Sequence, residues 1–206
     1  EYFLEKEDTL PNKIFLFLIL LSFPVNAHTF TGMIGFYDGL SHPVLGIDHF
    51  LAMVSVGIVS AQIGGRAIWT VPSTFVVMMI IGGILGMVAE IFLLNITELF
   101  IVIVEIGIVL SVILLGLAIA IGRKLSLTIM MFFVSIFGLC HGTAHGMEMP
   151  WAANPILFAL GFSSGTATLH LFGVIIGSLL IKNNYSLFLL RFIGIASACY
   201  GVYLFI

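Results

Sequence analysis

Long apolar runs, separated by short breaks rich in glycine or polar residues, cover most of the chain. Crossing the hydrocarbon core of a bilayer as a helix takes about 20 residues, and six of these runs are long enough. We therefore predict six membrane-spanning helices, at 43–64, 67–93, 97–121, 125–147, 152–181 and 185–206. Pro43 suits the first position of the first helix, where its missing N–H costs no hydrogen bond. The pattern is that of an all-α polytopic membrane protein.

A shorter apolar run lies near the N-terminus, after a largely polar and acidic stretch of nine residues. Lys13 is followed by a ten-residue apolar run, Ile14 to Phe23, interrupted only by Ser22, and then by Pro24-Val25-Asn26-Ala27. This order is typical of a secretory signal peptide, and the run is too short to span. Cleavage after Ala27 would separate residues 1–27, an extension with the signal peptide, from residues 28–206, the six-helix transmembrane domain. The alternative is an uncleaved, shallow anchor.

Composition supports the membrane assignment. The chain is 61% hydrophobic and only 8% charged, whereas soluble domains carry about 25% charged residues. The net charge of −3, without a basic patch, gives no indication of nucleic-acid binding. Cys140 and Cys199 lack the CxxC spacing and are typical of packing thiols. A metal role for Cys140, which precedes His141, stays open.

Charged residues are distributed unequally between the connections. All basic residues after the signal region lie in or beside alternate connections: Arg66, Arg123, Lys124, Lys182 and Arg191. The opposite connections contain Glu90, Glu98 and Glu148. The positive-inside rule then predicts that the basic connections are cytoplasmic and that both mature termini lie outside.

Two clusters of polar residues interrupt this apolar background. His141, His145 and Glu148 fall at i, i+4 and i+7, which is one stripe of a helix. Two imidazoles and a carboxylate on one stripe form half of a site for a divalent metal. Upstream, His42 and His49 are seven residues apart and would share a face of the first predicted helix. The predicted topology puts both clusters in the outer half of the membrane, so we expect one shared metal site.

Three further residues are candidate ligands. Insertion of an ionised Asp48 within a span would cost roughly 2.5–3.5 kcal/mol. Asp48 therefore either binds the cation directly or orients His49 without binding the cation itself. The same insertion cost applies to an ionised Glu105 near mid-membrane. Glu105 is either a ligand along the path of the metal ion or a protonated, hydrogen-bonded core residue. Cleavage after Ala27 would place a free α-amine on His28, and the two nitrogens could chelate one ion.

Two features of the fifth predicted helix need separate interpretation. His170 is the deepest histidine, and it is either structural or part of a polar track with Thr166 and Thr168. Residues 161–165, Gly-Phe-Ser-Ser-Gly, match the G-x-S-x-G pattern of serine hydrolases, which requires a strand-to-helix turn. In an apolar helix, serine and glycine instead favour close packing.

At these residues the chain resembles the HupE/UreJ family of nickel permeases. The resemblance is carried by His28-Thr29, Gly39 to His49, Ala52-Met53, Val56-Gly57, Gly64 to Ala67, Pro72, Phe75, Glu105 and His141 to Glu148. It implies a cleaved signal, six helices in the bacterial inner membrane, and uptake of Ni²⁺, or Co²⁺ in some members, without a catalytic cofactor. It also implies a metalloenzyme maturation system downstream, for hydrogenase or urease. The residues it identifies as functional are His42, Asp48, His49, Glu105, His145 and Glu148, with Phe75 lining the path. Cys140 departs from the family, which commonly has Phe there.

The ligand chemistry alone leaves the ion and the activity open. Imidazole and carboxylate suit Ni²⁺, Co²⁺, Zn²⁺ and Cu²⁺, so nickel comes from the resemblance and not from the spacing. One rival is an intramembrane zinc hydrolase with an activated water, and another is a metal sensor without transport. An enzyme should have an additional general base beside the metal. A permease should have polar groups along its full depth, and Glu105 and His170 favour that interpretation.

Overall fold

The computed structural model describes residues 35–92, 98–122, 125–182 and 184–205. Within these ranges the chain forms seven α-helices: α1 Phe36–Leu45, α2 Ile47–Ile63, α3 Ala67–Phe92, α4 Glu98–Ile121, α5 Leu127–Met147, α6 Pro155–Leu180 and α7 Asn184–Phe205. Helices α3 to α7 are each long and apolar enough to cross a membrane, and α1 and α2 add a sixth candidate when the bent pair is counted as one span. The chain is therefore a multi-pass helical membrane protein. The predicted signal peptide and His28 lie outside the described residues.

The first predicted helix, 43–64, is wrong in its start and in its continuity. The helical region begins at Phe36, and Pro43 lies inside α1 and not at a helix start. Gly46 has extended backbone angles (φ −77°, ψ 112°) and separates α1 from α2, which are bent by 83°. Since Pro43 has no N–H to donate to the preceding turn, α1 is weakened just before this break. The other five predicted helices are confirmed, with described bounds within three residues of the prediction.

Glycines bring α3 and α5 into close contact, as predicted for the small residues in the spans. A Cβ on Gly142 would collide with the backbone carbonyl of Met79, and one on Gly86 would collide with that of Thr143. Close backbone approach of this kind drives helix association in a bilayer, where apolar burial provides no force. The contact fixes the rotation of α5 and hence the direction of its histidine stripe.

Helix α6 is packed in the same way against both halves of the bent span. Gly39 of α1 meets the backbone of Phe158, whereas Gly57 of α2 meets that of His170. Thus α1 follows the first half of α6 and α2 follows the second half. Gln62 Nε2 donates to the carbonyl of Ile119 at 3.2 Å, so α2 and α4 finish at the same end of the bundle. We call this the Arg66 end, and the opposite end, where α5 finishes, the Glu148 end.

Candidate metal centre

Four imidazole rings from three helices lie together near the Glu148 end. His42 comes from α1, His49 from α2, and His141 and His145 from α5. The centroid of the His42 ring lies 4.7 Å from that of His145 and 5.5 Å from that of His49. The His49 ring is 5.1 Å from His145 and 5.0 Å from His141. The two sequence clusters therefore meet, although the bend, and not a shared helical face, brings His42 to His49.

Three of these rings are spaced for a single ion. Ligand nitrogens of His42, His49 and His145 all lie within 4.8 Å of one another. Nitrogens bound to one ion at about 2.1 Å can be no more than about 4.2 Å apart. Small rotations of the side chains would therefore close the group around a cation.

Two carboxylates orient the histidines. Asp48 Oδ1 accepts a hydrogen bond from His49 Nδ1–H at 3.0 Å, which directs the lone pair of His49 Nε2 away from Asp48. Glu148 Oε2 lies 3.2 Å from His42 Nε2 and accepts from it. Carboxylates commonly fix the tautomer and direction of metal-binding histidines in this way. In this structure, Asp48 therefore occupies the orienting position that its sequence context left as one of two alternatives.

The nitrogens that point into the cluster have no hydrogen-bond partners. His141 and His145 are fully buried. His141 Nδ1–H donates to the carbonyl of Phe137 at 2.9 Å, which leaves the lone pair on its Nε2. Nε2 of His49, Nε2 of His141 and both ring nitrogens of His145 are buried without a partner. Each such group costs on the order of 1–3 kcal/mol, and an incoming cation would recover that cost.

Exposure decreases from the mouth of the cluster towards its interior. The Glu148 side chain is 56% exposed and that of His42 is 34% exposed, whereas His145 is fully buried. Glu148 caps the C-terminus of α5, and the hydrogen bond from His42 lowers the pKa of Glu148 below its ordinary value. A partly exposed, ionised carboxylate therefore lies at the solvent-facing edge of the cluster.

Two phenylalanines enclose the deep side of the cluster. Phe162 of α6 stacks on His145, with ring centroids 5.1 Å apart and planes 15° apart. Phe75 of α3 contacts His141 at 5.4 Å. Phe162 was not identified from the sequence, because one phenylalanine among 19 in an apolar chain has no distinguishing pattern. The G-x-S-x-G pattern around it lies inside α6, where its two glycines, Gly161 and Gly165, meet the backbone of α1, as expected for a packing segment.

The remaining candidate ligands lie elsewhere. Glu105 is exposed on α4, outside the four-histidine cluster, while its neighbours Val104 and Ile108 face α5. Cys140 is half-buried on the α4-facing side of α5, against Gly107. The metal role of Glu105 stays a prediction, as does that of His28.

Fold and site together define a class, namely helical membrane proteins with a histidine cluster between their spans. The family model described as HupE / UreJ protein matches residues 16–204, and the chain therefore belongs to the HupE/UreJ family. It is 38% identical over 170 residues to Protein HupE of Rhizobium leguminosarum bv. viciae, a match that covers 82% of this chain and 84% of that protein. No solved structure matches the chain. The resemblance found in the motifs is thus confirmed at the level of the family.

Proposed function

We propose that this protein is a permease for a divalent transition-metal ion, Ni²⁺ in the first place and Co²⁺ in the second. The observation that carries the proposal is the set of buried, unpartnered imidazole nitrogens that converge between membrane-spanning helices. Imidazole discriminates against Mg²⁺ and Ca²⁺, which prefer oxygen ligands. The choice of nickel rests on the family resemblance, as does delivery of the ion to a hydrogenase or urease maturation system.

A hydrolase accounts less well for the same residues. Metal-dependent hydrolysis needs an open coordination position with a water, and usually a general base beside it. In the described part of the cluster, both carboxylates are already engaged, Asp48 with His49 and Glu148 with His42. This leaves no free carboxylate beside the three converging nitrogens, so transport is the better supported activity.

The direction of transport follows from the distribution of basic residues. We place the Glu148 end outside and the Arg66 end in the cytoplasm of a bacterial inner membrane, after removal of a signal peptide. Glu148 then faces the supply of ions, and its pKa, lowered by His42, keeps it ionised at neutral pH. Ions enter at the partly exposed His42 and Glu148 and are passed to the buried histidines.

Uptake of radioactive Ni²⁺ into proteoliposomes tests this function, with Co²⁺ and Zn²⁺ as competitors. We expect saturable uptake that His145→Ala abolishes, because this substitution removes the most deeply buried ligand of the converging group. Cys199→Ser, at an exposed position on α7, is the control and should transport normally. Absence of uptake by a folded wild-type protein would contradict the proposal.

A further inference from the structure

His170 is a buried histidine outside the four-ring cluster. It lies on α6, eight residues and about 12 Å beyond Phe162 towards the Arg66 end. The residue is 2% exposed, and neither of its ring nitrogens has a hydrogen-bond partner. Among the buried polar side-chain atoms that lack partners in the described residues, all but Ser197 Oγ belong to histidines of the cluster or to His170. His170 thus shares with the four-histidine cluster the property of having buried ring nitrogens without hydrogen-bond partners.

One aromatic ring connects the cluster to His170. Phe75 is fully buried, and its ring centroid lies 5.4 Å from His141 and 5.2 Å from His170. The order of rings from the Glu148 end is therefore cluster, Phe75, His170. Phe75 therefore separates the two imidazoles, and an ion moving from His141 to His170 would have to pass this ring.

Two more potential donors lie between the cluster and His170. Thr166 is one turn before His170 on the same face of α6, and Met79 is one turn from Phe75 on α3. Thr166 Oγ1 lies 3.6 Å from Met79 Sδ, and both side chains are fully buried. A hydroxyl and a thioether are weak ligands, suited to transient contact with a passing ion and not to retention of it.

Beyond His170, a cleft leads towards the Arg66 end. It lies between α3 and α6 and has a volume of about 340 Å³. Its walls include Trp69, Pro72, Ser73, Ala167, His170 and Leu171. Trp69, one turn from Arg66, is largely exposed. His170 thus forms part of the wall of a mostly apolar cleft that runs towards the Arg66 turn and is open on its outer side, since Trp69 and Leu171 are both more than half exposed.

We propose that His170 is a second, weaker binding site for the transported divalent ion, filled past Phe75 and emptied into this cleft. The inference rests on the proposed function for the direction of movement, but not for the existence of the site. A single imidazole with weak neighbours binds less tightly than three converging histidines. Conduction requires such weak intermediate sites, since an ion must be able to leave each site that it enters.

Measurement of equilibrium binding tests the His170 site independently of transport. Co²⁺ is titrated into the purified, full-length protein in detergent, with wild type, His49→Ala and His170→Ala compared. We expect one tighter and one weaker ion in the wild type. His49→Ala should lose the tighter ion, and His170→Ala should lose only the weaker one. If His170→Ala retains the weaker ion, or if the wild type binds a single ion, the proposal is overturned whatever the uptake result. If both ions bind but none is transported, the proposed function fails and the His170 site stands.

Measurement of uptake then distinguishes between a role of His170 as a metal ligand and a role in packing. His170→Phe keeps an apolar ring against Phe75, whereas His170→Cys loses the ring but keeps a metal donor. For a relay ligand, His170→Phe should transport at least about tenfold more slowly than wild type, with the concentration for half-maximal uptake little changed. His170→Cys should be faster than His170→Phe. The opposite order, with His170→Phe active and His170→Cys inactive, would show that His170 serves packing alone. Thermal unfolding of both variants verifies that each is folded.

Discussion

Substitution of Asp48 decides whether this carboxylate orients His49 or binds the ion itself. Asp48→Ala removes the acceptor of the 3.0 Å hydrogen bond from His49 Nδ1–H, whereas Asp48→Asn keeps an oxygen that can accept it. Loss of an orienting carboxylate typically weakens metal affinity about 10- to 100-fold, or about 1.4–2.7 kcal/mol. Since the Asp48 side chain is 31% exposed, solvent screening favours the lower part of this range. We expect a loss of about tenfold for Asp48→Ala and a clearly smaller loss for Asp48→Asn.

The measurement is the affinity of the tighter ion, from Co²⁺ titration of the purified protein. Asp38→Asn is the matched control: this α1 carboxylate accepts from the backbone N–H of Gly35 and, among the described residues, forms no ion pair with a histidine of the cluster. Its substitution should leave the affinity for the ion unchanged. Equal, large losses for Asp48→Ala and Asp48→Asn would refute the reasoning, because they would show that the charged oxygen itself binds the ion.

Three other substitutions test the elements that position the site and its exit. Gly46→Ala would place a Cβ 3.1 Å from Asp48 Oδ1 and 3.3 Å from His49 Nδ1, so we expect this variant to bind Co²⁺ more weakly. The control Val44→Ala, at an exposed position, should bind Co²⁺ as the wild type does. Equal Co²⁺ affinities of the two variants would contradict this expectation. Gly142→Ala should reduce the free energy of unfolding by about 1–3 kcal/mol and lower the thermal unfolding temperature in detergent, because the new Cβ would meet the Met79 backbone. An unchanged unfolding temperature would contradict the close α3–α5 contact. Ala167→Trp should fill the cleft and slow Ni²⁺ uptake without changing affinity, whereas Ala196→Trp, exposed on α7, should transport normally. Uptake unchanged by Ala167→Trp would argue against the cleft as the exit.

Most of the helical architecture could be predicted from the sequence, because a bilayer imposes simple requirements on a chain. A spanning segment must satisfy its own backbone hydrogen bonds and must be apolar for about 20 residues. The apolar runs that form α3 to α7 are long enough to meet both requirements as single helices. The bend escaped prediction because Gly46 lies directly between the apolar residues Leu45 and Ile47, so hydropathy does not change at the break itself. The packing of Gly39 and Gly57 on opposite halves of α6 is a tertiary effect that has no local signature.

The bend also explains why the sequence predicted that the two histidine clusters meet but not how they meet. On one continuous helix, His42 and His49 would lie about 10 Å apart along the axis, too far to bind one ion together. The break at Gly46 instead brings their rings to 5.5 Å and turns both towards His145. The error in the first helix and the meeting of the two clusters are therefore linked: the local departure from helical geometry at Gly46, which the sequence pattern concealed, is what brings the two distant clusters of candidate ligands together.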